Sequence, residues 1–372
     1  MVTVSVKALW ASEDTGITWY DPFPVVTPDE TFMLVQPITG SDVYGSVMER
    51  RTTDEGRSWS SPLVVPPFAT TARGSEEVES VVGPTPIHHP PTDTVVAIGT
   101  NAVSVSGRLV QPTTQRHVVY AVRQATGQWG ELKRLTWDDP RATGMYASSC
   151  LQHLVLDSGD LLIGVQFLPE GGDNFRATTL RCRFDGAEVT VLDTGRAVGN
   201  PVGRGLFEPS VVRHGDRYWM TLRAEDGQGY VAQSTDGLTW DDPQPWAWQD
   251  GAALEMSTTQ QHWLSRGEEL YLAYCRRTAE NHAVVRWRAP LHLAQVDLGQ
   301  RRLVRDTEQV VLPLLGDGTA TPNRVPYYGN FAVTLVSPNE AWVTDCALAP
   351  WDDFAGTTYL SRVVWPDALQ AL

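Results

Sequence analysis

The sequence predicts an all-β protein folded as a six-bladed β-propeller of four-stranded antiparallel blades, and three observations carry that prediction. A turn motif recurs, as Ser12-Glu13-Asp14-Thr15-Gly16-Ile17-Thr18-Trp19, as Thr52-Thr53-Asp54-Glu55-Gly56-Arg57-Ser58-Trp59 and, one residue shorter, as Ser234-Thr235-Asp236-Gly237-Leu238-Thr239-Trp240. Six strand, polar turn, strand units follow one another at intervals of roughly 50 to 70 residues, the length of one four-stranded blade with its loops. The composition also suits short strands, with 31 Gly, 25 Pro and 14 Trp, brief apolar runs such as Val118 to Val122 and Tyr271 to Tyr274, and few long amphipathic patterns. A chain built from one recurring sheet unit closes as one body, so residues 1–372 are expected to form a single domain.

The motif is expected to be scaffold. Its Asp and Ser/Thr side chains hydrogen-bond the local backbone, its Gly takes a positive φ, and its Trp pins the turn to the sheet. The six inner hairpins are placed by turns at Asp29-Glu30, Thr92-Asp93, Ser158-Gly159-Asp160, Gly215-Asp216, Gly267-Glu268 and Pro338-Asn339-Glu340, each followed by an apolar stretch such as Leu161-Leu162-Ile163. Val2 to Leu9 is strand-like and has no inner hairpin of its own, so it is expected to complete the last blade beside Thr358 to Val364 and close the ring. A seventh blade would have to come from Leu291 to Leu312.

The turn motif resembles the Asp-box of the sialidase-like propellers, where it joins the third and fourth strands of a blade, away from the active face. That resemblance implies a carbohydrate-active enzyme with an oligosaccharide or polysaccharide substrate. Aligning the six units on their turns brings polar residues to one end of the channel. Gln152, Glu208, Gln260 and Asn330 stand before the turns, and Asn101, Gln166, Arg223, Arg276 or Arg277, and Asp345 after them. In sialidase-like enzymes a Glu near the start of an inner strand activates a Tyr nucleophile from the last blade, while arginines of successive blades clamp a carboxylate. By position, Glu208 matches the Glu, Arg223 and Arg277 the clamp, and Tyr328 the nucleophile, with Arg324 as a further guanidinium. A phenol of ordinary pKa about 10 needs such a base, and Arg holds a planar carboxylate with two hydrogen bonds. Asp42, Glu77 and Glu79 are candidates for the general acid.

One departure stands out. The Arg-Ile-Pro-like segment that supplies the first clamp arginine in sialidases is missing, because the first inner strand reads Pro24-Val25-Val26 followed by Phe32-Met33-Leu34-Val35-Gln36. An exo-acting hydrolase on an acidic or deoxy sugar other than sialic acid is therefore expected. A competing reading takes His153 or His262 as the base, or as a ligand of a divalent metal, in a lyase that cleaves beside a uronic acid. On a strand, His next to Gln points the opposite way, which would leave both imidazoles between blades as core hydrogen-bonders. A third reading is a non-catalytic glycan-binding propeller. Outside the lyase reading no cofactor is expected.

Other features bound the function. The net charge of −15 argues against nucleic-acid and anionic-membrane partners, so an anionic ligand has to be met by a local basic site. Residues 1–30 carry no signal-like apolar run and no later segment reaches a membrane span of about 20 residues, which leads to the expectation of a cytoplasmic protein. Cys150, Cys182, Cys275 and Cys346 are widely spaced within apolar runs and read as buried thiols. Among the tryptophans, Trp246, Trp248, Trp263 and Trp287 are the candidates for stacking on sugar, although propeller Trp is mostly packing. Glu280-Asn281-His282 reads as an exposed polar cluster on the active face.

Overall fold

A computed structural model describes residues 2–110, 116–320 and 324–366. The inner hairpins form at all six predicted turns. Blade I pairs Trp19–Val26, Thr31–Gly40, Met48–Thr52 and Leu63–Val64, and blade II pairs Glu77–His89, Thr94–Val105, Val118–Arg123 and Lys133–Arg134. Blade III is Met145–Ala147 and Leu154–Val155 against Leu161–Leu168, then Arg176–Phe184 and Val189–Thr194, and blade IV is Phe207–His214, Arg217–Arg223, Gly229–Ser234 and Gln244–Pro245. Blade V runs from His262–Arg266 through Glu269–Cys275 to Leu291–Asp297, and its outer edge is shared by Arg302–Leu303 and Gln309–Leu312. Leu291 to Leu312 thus belongs to blade V and hides no seventh blade.

Blade VI joins the two chain ends. Ala332–Ser337, Glu340–Ala349 and Ala355–Val364 take Thr3–Ala11 as their fourth strand, antiparallel, with Thr3 opposite Val364. The closure joins the chain ends in one blade, with Thr3–Ala11 as its outer edge. Thr358 Oγ1 donates to Trp19 O at 2.6 Å across that seam. The apolar clusters lie between neighbouring blades, as in the set that packs Val96, Ile98 and Tyr120 of blade II on Leu161, Ile163 and Phe167 of blade III. Trp219, Trp246 and Trp263 likewise pack edge to face between blades IV and V.

Two of the three turn motifs behave as predicted. In the second, Asp54 accepts from Thr52 Oγ1, Ser58 N and Ser58 Oγ at 2.6–2.9 Å, and those Ser58 bonds pull its carboxyl down to about 2. In the third, Asp236 gathers Ser234, Leu238 and Thr239 in the same way, and buried Trp240 donates to Thr179 Oγ1 at 2.8 Å. Both turns join third and fourth strands. The first motif does not: Ser12–Thr15 is a single helical turn that crosses from the outer strand of blade VI to the inner strand of blade I. All four cysteines are buried free thiols.

Candidate active site

A backbone irregularity repeats where the inner strands enter the channel. Asp21, Gly83, Cys150 and Glu208, in blades I to IV, have φ of 52°, 52°, 58° and 51°. Register shifts between Tyr20 and Phe23, Val82 and Thr85, and Phe207 and Ser210 mark three of them as bulges. Proline follows each of these three, and within a sheet proline is confined to edges and bulges. The sequence signal was therefore present as Tyr20-Asp21-Pro22-Phe23, Val82-Gly83-Pro84-Thr85 and Phe207-Glu208-Pro209-Ser210. Two of the bulges are stapled by the second strand of the preceding blade: Gln36 Oε1 accepts from Gly83 N at 3.0 Å, and Gln166 Oε1 from Glu208 N at 2.8 Å. Bulges re-aim side chains, and Asp21 and Glu208 are the two residues here whose carboxyls stand at such a bulge.

Above this ring lies a cavity of about 730 Å3, a volume suited to a small ligand. Its carboxylates are Asp42, Glu208 and Glu225, and its guanidiniums are Arg116, Arg204, Arg223, Arg286 and Arg288. Arg223 Nη1 donates to both oxygens of Glu208, at 2.8 and 3.0 Å, and its Nε donates to Thr258 Oγ1 at 3.1 Å. Burial lowers the Arg223 guanidinium to about 10, with Glu208 acting in the opposite direction. Arg204 is paired with Glu225 at 2.7 Å, and those hydrogen bonds hold the Glu225 carboxyl below its usual range. Arg204 and Arg223 both stack on buried Phe207, each 4.7 Å from the ring centre.

The other three arginines carry no ion pair among the described residues. Arg288 donates to Thr258 O at 3.2 Å and keeps Nε buried without a partner. It follows the 3-10 turn Val285–Trp287, in which Arg286 and Trp287 are left-handed. Asn281 fastens this loop by donating to Arg276 O and Ala289 O at 2.8 and 2.9 Å. The cavity's aromatic lining includes Tyr20, Tyr44, Phe207 and Tyr327, and no Trp lines it among the described residues. Burial raises the Tyr327 phenol, against the nearby positive charges of Arg288 and Arg286.

Below the rim sits an acidic pair. Asp21 is buried, accepts from Asn330 Nδ2 at 2.8 Å through Oδ1, and leaves Oδ2 without a partner. Burial pushes its carboxyl up to about 8, the Asn330 bond opposes this, and Asp345 adds to it. Asp345 is raised by burial to about 7, although Cys346 N and Gly329 N donate to it at 2.7 and 2.9 Å. Tyr20 packs its hydroxyl on Gly329, where a Cβ would overlap it. Blade I therefore meets the main cavity through Tyr20, whereas Pro24-Val25-Val26 lines the cavity on the other side, and Tyr20-Asp21 brings a phenol and a carboxyl of raised pKa where the resemblance implies an arginine.

Residues 41–302 match the BNR repeat-like domain family. The chain belongs to that family. Among solved structures this BNR repeat-like chain resembles a Trypanosoma rangeli sialidase, with 14% identity, a TM-score of 0.64 and coverage of 93% of this chain and 55% of that one. It thus spans little more than half of the sialidase's length. A protein of unknown function from Dyadobacter fermentans aligns over 98% of this chain and 99% of its own, at 12% identity and a TM-score of 0.66. A Hadza microbial sialidase aligns over 94% and 66%, at 12% identity and a TM-score of 0.62. At these identities the likeness is one of fold, which is sialidase-like. No curated protein sequence matches the chain.

The predicted residues divide sharply. Glu208, Arg223, Asp42, Gln166, Gln260 and Asn330 meet at the cavity of this BNR repeat-like propeller. Tyr328 does not: its hydroxyl donates to Pro313 O at 2.8 Å inside the apolar core between blades V and VI, while its neighbour Tyr327 lines the cavity. Arg277 pairs with Glu255 at 3.1 Å and stacks on Trp287, and Arg276 pairs with Glu308 at 2.6 Å, so the guanidiniums that blade V contributes are Arg286 and Arg288. Glu79 pairs with Arg73, Asn101 donates to Glu79 at 3.1 Å, and Arg324 is exposed outside the cavity lining. Glu77 likewise lies outside that lining, at the start of blade II's inner strand. Asn281 is fully buried rather than exposed, and His282 lines a separate shallow pocket with Arg276 and Arg277.

The histidines lie on the other side of the ring. His153 and His262 line a second cavity of about 290 Å3. His262 Nδ1 is 2.8 Å from Ser210 Oγ, and burial lowers both imidazoles to about 3. Gln152 spans the channel there, donating to Trp263 O at 2.8 Å and accepting from Trp263 N at 2.6 Å. Among the described residues no three His, Cys, Asp or Glu converge to hold a metal ion.

Proposed function

We propose that the cavity hydrolyses a glycosidic bond next to an anionic sugar. The observation that carries this reading is the convergence of Arg116, Arg286 and Arg288, all without carboxylate partners among the described residues, beside Glu208 and Asp42 in a chain of net charge −15. Unneutralised guanidiniums are costly to keep together unless an anion shares the site, and bidentate hydrogen bonding suits a carboxylate or sulfate. In this reading the Tyr327 oxygen attacks the anomeric carbon and its proton passes to Glu208, while Asp42 gives a proton to the departing oxygen. Water then attacks the glycosyl–tyrosine and returns a proton to Asp42, and the proton on Glu208 goes back to the phenolate. Arg223 orients Glu208 for this role by donating to both of its oxygens. The sialidase-like fold and the family membership support a glycoside hydrolase, and the Tyr20-Asp21 pair supports a substrate other than sialic acid.

The test is turnover of a panel of uronate, deoxy-sugar and sulfated glycosides, followed by released reducing ends and by absorbance of an unsaturated uronate. Reducing ends without the chromophore are expected. Tyr327→Phe is expected to lose at least 100-fold in kcat, and Tyr328→Phe to keep its rate. A chromophore, or a Tyr327→Phe enzyme as fast as wild type, overturns the scheme.

A further inference from the structure

A second basic cleft opens between blades II and III. We infer that this cleft binds a second anionic unit, a carboxylate- or sulfate-bearing sugar joined to the one held in the main cavity, so that the ligand is an acidic oligosaccharide. The inference rests on the cavity being a sugar-hydrolysing site. The cleft measures about 340 Å3 and carries the side chains of Arg73, Arg116, His117 and Arg134. It meets the main cavity along Arg116 and Met145, which line both. A ligand could therefore run from one into the other without leaving the surface of the protein.

Two of the cleft's three arginines are oriented by hydrogen bonds. Arg134 makes one hydrogen bond among the described residues, from Nε to Tyr146 Oη at 3.1 Å, so both terminal nitrogens are left for a ligand. Tyr146 is itself fixed, donating to Leu135 O at 2.6 Å and packing edge-on against Trp137. Arg73 is aligned by Glu79 at 2.6 Å, and Asn101 holds the far oxygen of that carboxylate at 3.1 Å. Arg116 has no ion pair among the described residues, and the carboxylate whose charge acts on it is Asp42, which lines the main cavity. Three guanidiniums against one carboxylate leave the cleft positive in an acidic protein, and held guanidinium forks bind oxyanions with little ordering cost. Glu79, sought as a general acid, thus acts as a positioning residue for Arg73.

The probes are a disaccharide of two uronic acids and its counterpart whose second carboxyl is reduced to the alcohol. Binding is measured by calorimetry on full-length Glu208→Gln protein, and a disaccharide sulfated on the second unit reports whether sulfate serves as well as carboxylate. The diacid is expected to bind at least tenfold more tightly than the reduced form, and that preference is expected to vanish in Arg73→Ala/Arg134→Ala while affinity for the single uronic acid stays within twofold. If the double variant does not fold, Arg134→Gln alone is expected to remove most of the preference. Equal affinities, no binding of either disaccharide, or a preference that survives the substitutions overturns the second site. Turnover without preference sinks the second site alone, whereas preference without any turnover sinks hydrolysis alone.

Discussion

Asp21 and Glu208 occupy the same place in two blades that stand opposite each other in a ring of six. Both follow an aromatic residue, precede proline and sit at a bulge with φ of 52° and 51°. The backbone treats them alike and their surroundings do not. Glu208 meets the Arg223 guanidinium at 2.8 Å, whereas Asp21 meets the Asn330 amide and, among the described residues, no cation. Burial without a cation raises the Asp21 carboxyl. The repeat thus places carboxyls on the channel, and each blade's neighbours decide what each one meets.

The largest effect that would break the comparison is kinetic. Glu208→Gln keeps the shape and an acceptor for Arg223 but removes the base, so kcat on an acidic glycoside is expected to fall by about 10² to 10⁴. Thermal melting should show the fold intact, with a moderate loss because buried Arg223 now lacks its counter-charge. Turnover within threefold of wild type would remove Glu208 from the mechanism.

Asp21→Asn sharpens the other half. A folded-state pKa raised to about 8 means that the native protein holds a proton the unfolded chain has released, so stability falls as pH rises between about 4 and 8 and levels off above that. Asparagine removes that slope while still accepting from Asn330. The variant is expected to gain on wild type by about 1.4 kcal/mol for each pH unit of the window at most, with the full difference present by pH 8. Asp345, raised to about 7, and Asp42 both face Asp21, so a shallower slope from Asp345 should remain. Melting curves of the two proteins that run parallel from pH 5 to 9 would show that Asp21 is ionised throughout.

How much of this was legible in the sequence depended on how local the signal was. The blades could be counted because each inner hairpin announces itself within a few polar residues, and the closing strand because Val2 to Leu9 had nowhere else to pair. Glu208 and Arg223 could be matched because they flank one hairpin. Tyr328 was misplaced by a single residue: Tyr327 bridges Leu348, and in extended chain one step reverses the face. Arg288 follows a loop whose left-handed residues no periodicity foretells, and Arg116 and Arg204 also reach the cavity from loops. The proline-marked bulge was readable, but it shows only when the three copies are aligned on proline rather than on the hairpin turn.

The smallest of these effects concerns the bulge that carries no side chain. Gly83 has the left-handed φ of Asp21 and Glu208, yet a Cβ there would overlap Cys150 Sγ, because the blade III residue at the equivalent place fills the channel beside it. Cys150 N donates to Gly83 O at 2.9 Å, which ties the two bulges so that neither can withdraw. Glycine at 83 is thus imposed by the neighbouring blade, since the same φ tolerates Asp and Glu elsewhere in the ring. Gly83→Ala should cost about 2 kcal/mol, part of it backbone strain and the rest overlap. Adding Cys150→Ala removes the sulfur and should restore the overlap part, leaving about 1 kcal/mol of strain in a double-mutant cycle. If the second substitution restores nothing, the contact between bulges is not what excludes a side chain, and the left-handed backbone alone sets the residue at each blade's entry.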